Sequence, residues 1–128
     1  MPELTPLERT ALDAILDELA GDRAMIEQQL AKVSVLSREN TGGGFFTDLE
    51  VASDAKVFDR KTAPFGKNVW ISVDGLEHGL GMILHTKEGR VDLLEGYAVG
   101  PEDTSQIDFE HVRFAVAGEP GPLSTNCD

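Results

Sequence analysis

Residues 37–47 read Ser-Arg-Glu-Asn-Thr-Gly-Gly-Gly-Phe-Phe-Thr, and this stretch decides how the rest of the chain is interpreted. A polar, partly charged run meets three consecutive glycines, and two aromatic residues then open a segment that alternates between polar and apolar. Because glycine is conformationally permissive, three in a row suit a sharp turn or a close approach between backbones. We interpret the stretch as the junction between a helical first half and a β-sheet second half, beside which polar side chains collect.

The residues before this junction have helical periodicity. Thr5 can cap a helix, Pro6 is tolerated at its first position, and Glu8 completes a capping box. Apolar residues then recur at helical spacing, namely Leu7, Ala11, Leu12, Ile15, Leu16 and Leu19. The pattern predicts a helical region from residue 6 to about residue 32, in which Gly21 either ends a first helix or lies inside a single longer one.

The residues after the junction favour strands instead. Strands are predicted at 45–51, 69–73, 80–86, 91–97 and 109–117. Helices followed by strands, without βαβ alternation, predict an α+β protein in which an N-terminal helical region packs on an antiparallel β-meander of about five strands. We predict a single domain over residues 1–118 and a disordered tail over residues 119–128.

The charge balance limits the choice of partner. The 128 residues include 11 basic and 23 acidic side chains, which give a formal net charge of −12. Such a field repels phosphate backbones, so we expect no nucleic-acid partner. The acidic residues concentrate between positions 88 and 110, where they would attract a basic partner.

Other features favour the cytoplasm. Cys127 is the single cysteine, so an intramolecular disulfide is impossible, as is typical of a reducing compartment. The N-terminus lacks the basic and apolar regions of a signal peptide, and the apolar runs are too short to span a membrane. We therefore predict a cytoplasmic protein without a membrane partner.

One carboxylate stands out in the predicted strands. Alternation places Glu95 on the same face as Val91, Leu93 and Tyr97, the face that we expect to be buried. A buried carboxylate needs a partner, and Arg38 or the backbone N–H groups at 42–44 are candidates. We predict a polar ligand-binding pocket beside the glycine junction, lined by Arg38, Glu39, Thr41, Thr47, His78, Glu95 and Tyr97.

The sequence indicates no catalytic residue, metal site or cofactor. No nucleophile stands beside a supporting base, so the pattern leaves open whether the protein is an enzyme. A regular pleat puts His78 and His85 on opposite faces of a strand, which disfavours a zinc site. The glycines at 42–44 lack the Lys-Ser/Thr ending of a phosphate-binding loop.

Three ordered motifs are similar to those of a family of small uncharacterised bacterial proteins. Residues 37–47 match S-R-E-x-T-G-x-G-F-F-T, residues 75–79 match G-L-x-H-G, and residues 94–97 match L-E-G-Y. The resemblance covers roughly residues 30 to 114. It implies a bacterial, cytosolic protein and carries no established activity, so no functional residue is transferred from it.

These observations lead to two hypotheses of function. The first is a non-catalytic binding or interaction protein, for example an immunity-type protein that neutralises a basic partner. The second is a small-molecule-binding protein or enzyme whose polar pocket lies near Arg38, His78 and Glu95. Exposed edge strands would also allow a homodimer.

Overall fold

In a computed structural model of the chain, which describes residues 4–18, 23–52, 57, 65–66 and 69–123, two helices precede six strands. The elements are α1 (Pro6–Leu16), α2 (Arg23–Leu30), β1 (Ser34–Asn40), β2 (Gly44–Glu50), β3 (Trp70–Val73), β4 (Leu80–Lys87), β5 (Arg90–Ala98) and β6 (Phe114–Ala117). The predicted α+β class with N-terminal helices is confirmed. No helix in this described part of the chain is both long and apolar enough to cross a lipid bilayer.

The capping box at the start of α1 forms as predicted. The Thr5 hydroxyl accepts a hydrogen bond from the Glu8 amide, and the Glu8 carboxylate accepts one from the Thr5 amide. The helix buries its apolar stripe, consisting of Leu7, Ala11, Leu12, Ile15 and Leu16. It ends at Leu16 with Asp17 as the C-cap, and α2 is a separate helical segment. Residues 19–22, which include Leu19 and Gly21, lie outside the described residues.

The six strands form one antiparallel sheet in the order β1-β2-β5-β4-β3-β6. Helix α1 contacts β4 and β6, and α2 contacts β5, so both helices pack on the same face of the sheet. We call this the inner face and the opposite one the outer face. The core between helices and sheet includes Ile26, Phe45, Leu49, Ile71, Val73, Leu80, Met82, Leu84 and Leu94.

The predicted topology is wrong in two respects. The described residues form six strands rather than about five, and the sheet is no simple meander, because β2 pairs with β5 and β6 lies beside β3. The missed strand is β1, a polar edge strand in which Val35 alone is fully buried. Because an edge strand that buries little has no alternating pattern, its sequence resembles a loop. The glycines at 42–44 consequently turn a β1–β2 hairpin and do not join the helices to the sheet.

The last predicted strand is also shorter than expected. β6 covers Phe114–Ala117, while residues 109–111 form a turn. Beyond it, the Gly121 amide donates to the His78 carbonyl at 3.2 Å, and the Gly121 carbonyl accepts from the Ser72 hydroxyl at 3.2 Å. Residues 124–128 lie outside the described residues, so the domain end at 118 and the disordered tail stay predictions.

A β-bulge in β5 changes which side chains share a face. Val91 pairs with Thr86 and Leu93 pairs with His85, so an extra residue, Asp92, stands between them. Val91 therefore joins the buried core, whereas Leu93 and the residues that alternate with it lie on the outer face. The prediction that Glu95 shares a face with Val91 is wrong for this reason.

Candidate functional site

A cleft of about 270 Å³ opens on the inner face, between the start of α1, the β1–β2 hairpin and the segment that follows β5. Its apolar lining consists of Leu7, Phe45, Ile107 and Phe109, and its polar lining includes Thr5, Glu8, Arg38, Glu39, Asn40, Thr47, Asp108 and Glu110. The Phe45 and Phe109 rings meet at a centroid distance of 5.0 Å. The cleft thus combines an aromatic floor with charged and hydroxyl groups.

The buried carboxylate of Glu8 is the centre of the polar lining. Its side chain is 3% exposed, and Arg38 binds it through two hydrogen bonds, from Nε to Oε2 at 2.8 Å and from Nη2 to Oε1 at 2.9 Å. Thr47 donates to Oε2 at 2.6 Å, and the Thr5 amide donates to Oε1 at 2.8 Å. Each carboxylate oxygen therefore accepts two hydrogen bonds, which satisfies the group without water.

These contacts determine the protonation of the pair. Burial alone would raise the pKa of Glu8, but the hydrogen bonds from Arg38, Thr47 and Thr5 outweigh burial, and the pKa lies below its usual value. The hydrogen bond to Glu8 is in turn the main cause that raises the pKa of Arg38. The two groups form a charged pair at neutral pH.

We expect this pair to make stability depend on pH in the acid range. Because the pKa of Glu8 is lower in the folded chain than its usual value of 4.5, the carboxylate stabilises the fold fully above pH 4.5 and loses this effect as the pH falls through the folded-state pKa. Urea unfolding of the wild type and Glu8→Gln, at about pH 7, pH 5 and pH 3, measures the difference. The difference should be largest at neutral pH and shrink in acid. A difference that does not change with pH would contradict the role of the charge.

The hairpin turn before β2 supports one wall of the cleft. Gly42 and Gly44 have positive φ angles, +87° and +139°, which favour glycine. The Gly44 amide donates to the hydroxyl of Thr104 at 3.1 Å, and that hydroxyl donates to the Asn40 side chain at 2.8 Å. Since Thr104 is completely buried, these bonds hold the 98–107 segment against the hairpin.

Two exposed carboxylates stand at the mouth of the cleft. Asp108 accepts a hydrogen bond from the Glu110 amide at 3.0 Å and lies 2.8 Å from Nδ1 of His111, and the hydrogen bond with His111 is the main reason that its pKa is lowered. The side chain of Glu110 is 62% exposed. The negative charge of Glu110 is the smallest of the causes that raise the pKa of Arg38, after the hydrogen bond and the charge of Glu8.

The structure brings some of the predicted site residues together. Arg38 and Thr47 lie in the cleft and share the carboxylate of Glu8. Glu39 is among the lining residues, although it pairs with Phe46 and so lies on the outer face of the strand pair. Thr41 stabilises the hairpin turn, where its amide donates a hydrogen bond to the Gly44 carbonyl at 3.0 Å.

The other predicted site residues lie elsewhere. Glu95 and Tyr97 are on the outer face, so the expected pairing of Glu95 with Arg38 is wrong, and Glu95 instead lies 2.9 Å from Nε2 of His85. Tyr97 packs edge-on against Trp70, at 5.7 Å between ring centroids. Nδ1 of His78 lies 2.8 Å from Oε2 of Glu102, and the same carboxylate oxygen accepts a hydrogen bond from the His78 amide at 3.1 Å.

Sequence reasoning missed Glu8 as a site residue. The capping-box pattern identified its local role, but a capping box satisfies a single carboxylate oxygen and leaves capacity for further partners. Asp108 was missed because it was assigned to an acidic loop, and Phe109 because it was assigned to the last strand, whereas residues 109–111 form a turn. Among the described residues, no group of three His, Cys, Asp or Glu side chains is placed to hold a metal ion.

Comparison with protein-family models, with curated proteins and with solved structures gives no match. The conclusions about function therefore rest on the cleft itself.

Proposed function

We propose that the protein is a non-catalytic, cytosolic bacterial binding protein whose cleft receives a cationic, partly apolar group of a basic partner. The observation that carries this proposal is the division of the cleft into an aromatic floor, Phe45 and Phe109, and an acidic mouth, Asp108 and Glu110. A lysine or arginine side chain has a matching form, with an apolar stem and a charged end. The aromatic rings would pack against the stem, and the carboxylates would neutralise the charge.

The internal pairing of Glu8 supports a cation as the ligand. Arg38 already neutralises Glu8, so the charge left at the mouth is that of Asp108 and Glu110, which His111, 2.8 Å from Asp108 and 3.9 Å from Glu110, offsets only when it is protonated. The formal charge of −12 for the whole chain adds a long-range attraction for a basic protein. A partner would be drawn to the surface by this field and held by the cleft.

The second hypothesis, a small-molecule site or an enzyme, has less support. The volume of about 270 Å³ lies just below the range of about 300–1,000 Å³ that is usual for small-molecule sites. Glu8 accepts four hydrogen bonds and has a lowered pKa, which makes it a poor general base. The cleft volume still accommodates a small organic cation, so this alternative is included as an outcome of the test.

The test compares defined probes on the full chain. Three probes are titrated at low ionic strength: an acetylated hexapeptide of alternating Lys and Phe, a matching peptide of alternating Glu and Phe, and phenethylamine. Binding is monitored by the NMR chemical shifts of the backbone amides. We expect the basic peptide to bind with shifts at residues 107–110, and the acidic peptide not to bind. If phenethylamine binds as tightly as the basic peptide, the small-molecule alternative is correct. Equal binding of both peptides would overturn the proposal.

A pair of matched variants locates the binding. Glu110→Lys should weaken binding of the basic peptide by about fivefold or more, because an exposed ion pair contributes up to about 1 kcal/mol and the new charge repels the probe. Glu77→Lys makes the same charge change at an exposed residue that does not line the cleft. It should change binding much less at moderate salt, where long-range effects are screened. Equal losses in both variants would show that net charge alone attracts the peptide.

A further inference from the structure

Strand β6 forms an edge of the sheet that carries no charge along its length. Phe114–Ala117 pair with β3 on one side, Ala115 is exposed, and Val116 is 54% exposed. The opposite edge, β1, has a bulge at Leu36 and the charged residues Arg38 and Glu39. Bulges and charges discourage pairing with another strand, and β6, although it has only four residues, has neither.

The pairing with β3 determines which backbone groups of β6 point outward. The Arg113 carbonyl accepts from the Asp74 amide at 2.9 Å. Hydrogen-bonded pairs alternate along an antiparallel ladder, so Ala115 and Ala117 also point their backbone groups toward β3. The N–H and C=O groups of Phe114 and Val116 therefore point to the open edge, where none of the described residues bonds to them.

We propose that β6 pairs in antiparallel fashion with β6 of a second copy of this chain, about a two-fold axis at Ala115. This register uses the whole strand, because Phe114 then exchanges two hydrogen bonds with Val116 of the partner subunit, and Val116 does so with Phe114 of the partner subunit. The two sheets would become one continuous sheet. Ala115 and Val116 are equally near the middle of this four-residue strand, and the axis at Ala115 is the one that pairs Phe114 with Val116 within the strand.

Charge complementarity at the ends of β6 favours a second copy as the occupant. Arg113 precedes the strand and Glu119 follows it, and both are exposed. Antiparallel pairing about Ala115 puts Arg113 opposite Ala117 of the partner subunit, beside the bend at 118–120 that carries Glu119 of the partner subunit. The sheet order puts β1 and β2, which line the cleft, at the other end of the sheet. None of the residues that line the cleft belongs to β6, so the two proposals concern different residues and are tested separately.

A pair of cysteine variants tests the register directly. In a Cys127→Ser background, Ala115→Cys places two thiols opposite each other in a non-hydrogen-bonded pair, where the Cα atoms are about 4.5 Å apart, which is within disulfide range. We expect mild oxidation to produce a disulfide-linked dimer. The matched control is Ala117→Cys, which lies on the same face but opposite Arg113 of the partner subunit, and it should remain monomeric. Equal cross-linking in both variants, or none in either, would overturn the proposal.

Sedimentation velocity of the full chain tests the same contact without cross-linking. The wild type should form a dimer whose fraction rises with protein concentration. Val116→Pro removes an outward N–H without touching the ladder to β3, so it should abolish the dimer while the circular dichroism spectrum stays unchanged. Arg113→Glu and Glu119→Arg should each weaken the dimer, and the double variant should restore it. A dimer that is insensitive to all these variants, or a chain that stays monomeric at every concentration, would refute the edge pairing.

Discussion

Replacing Gly44 with alanine is expected to lower the free energy of unfolding by at least about 3 kcal/mol, because backbone strain and overpacking each cost about 1–3 kcal/mol. The φ angle of Gly44 is +139°, which L side chains rarely adopt. A Cβ atom there would lie 1.9 Å from the Gly96 carbonyl oxygen and 2.9 Å from the Tyr97 Cα. Both neighbours are backbone atoms of β5, so the β2–β5 pairing would have to open.

The neighbouring glycine provides the matched control. A Cβ at Gly43 would meet no atom within 4 Å, and its φ is not positive. We expect Gly43→Ala to change the free energy of unfolding by less than about 1 kcal/mol, because the reduced entropy of the unfolded chain offsets any small loss in the folded state. Urea unfolding monitored by the fluorescence of Trp70 measures both variants. Similar losses in the two variants would show that the close contact between Gly44 and β5 is not what requires glycine here.

The variant Glu8→Ala, which removes the carboxylate, is expected to lower the free energy of unfolding by about 3 kcal/mol. This is the lower end of the range for breaking a buried ion pair. The lower end applies because the Arg38 side chain is 35% exposed and regains contact with water. The hydroxyl of Thr47, whose residue is completely buried, would lose its acceptor, and the capping box of α1 would be broken. The measurement is urea unfolding at neutral pH.

An exposed ion pair serves as the comparison for Glu8. Arg23 lies 2.9 Å from Asp17, and the two side chains are 43% and 73% exposed. We expect Arg23→Ala to cost less than about 1 kcal/mol, as is usual for pairs in water. If Glu8→Ala lowers the free energy of unfolding no more than Arg23→Ala does, the hydrogen-bond network around Glu8 does not stabilise the fold. The claim that this network holds one side of the cleft rigid would then be wrong.

Part of the candidate site followed from sequence, and the physical reason is local. Arg38 and Thr47 lie on the two strands of the hairpin that the glycines turn, and they pair directly with each other. A polar cluster beside that turn could therefore be expected from the sequence. Glu95 was misplaced because one extra residue in β5 exchanges the faces of a strand, and no pattern in the sequence marks the bulge. Glu8 and Asp108 reach the cleft through long-range packing, which periodicity does not encode.

The sequence by itself determined the α+β class, the capped start of α1, the strands β2 to β5 within a few residues and the acidic character of the surface. Those features depend on neighbours along the chain: capping, alternation and turn residues. The tertiary structure alone decided that Glu8 meets Arg38 and Thr47, that β2 pairs with β5, and that Glu95 faces away from the cleft. These outcomes depend on which strands become neighbours in the sheet, and pairing between distant segments follows from packing of the whole core.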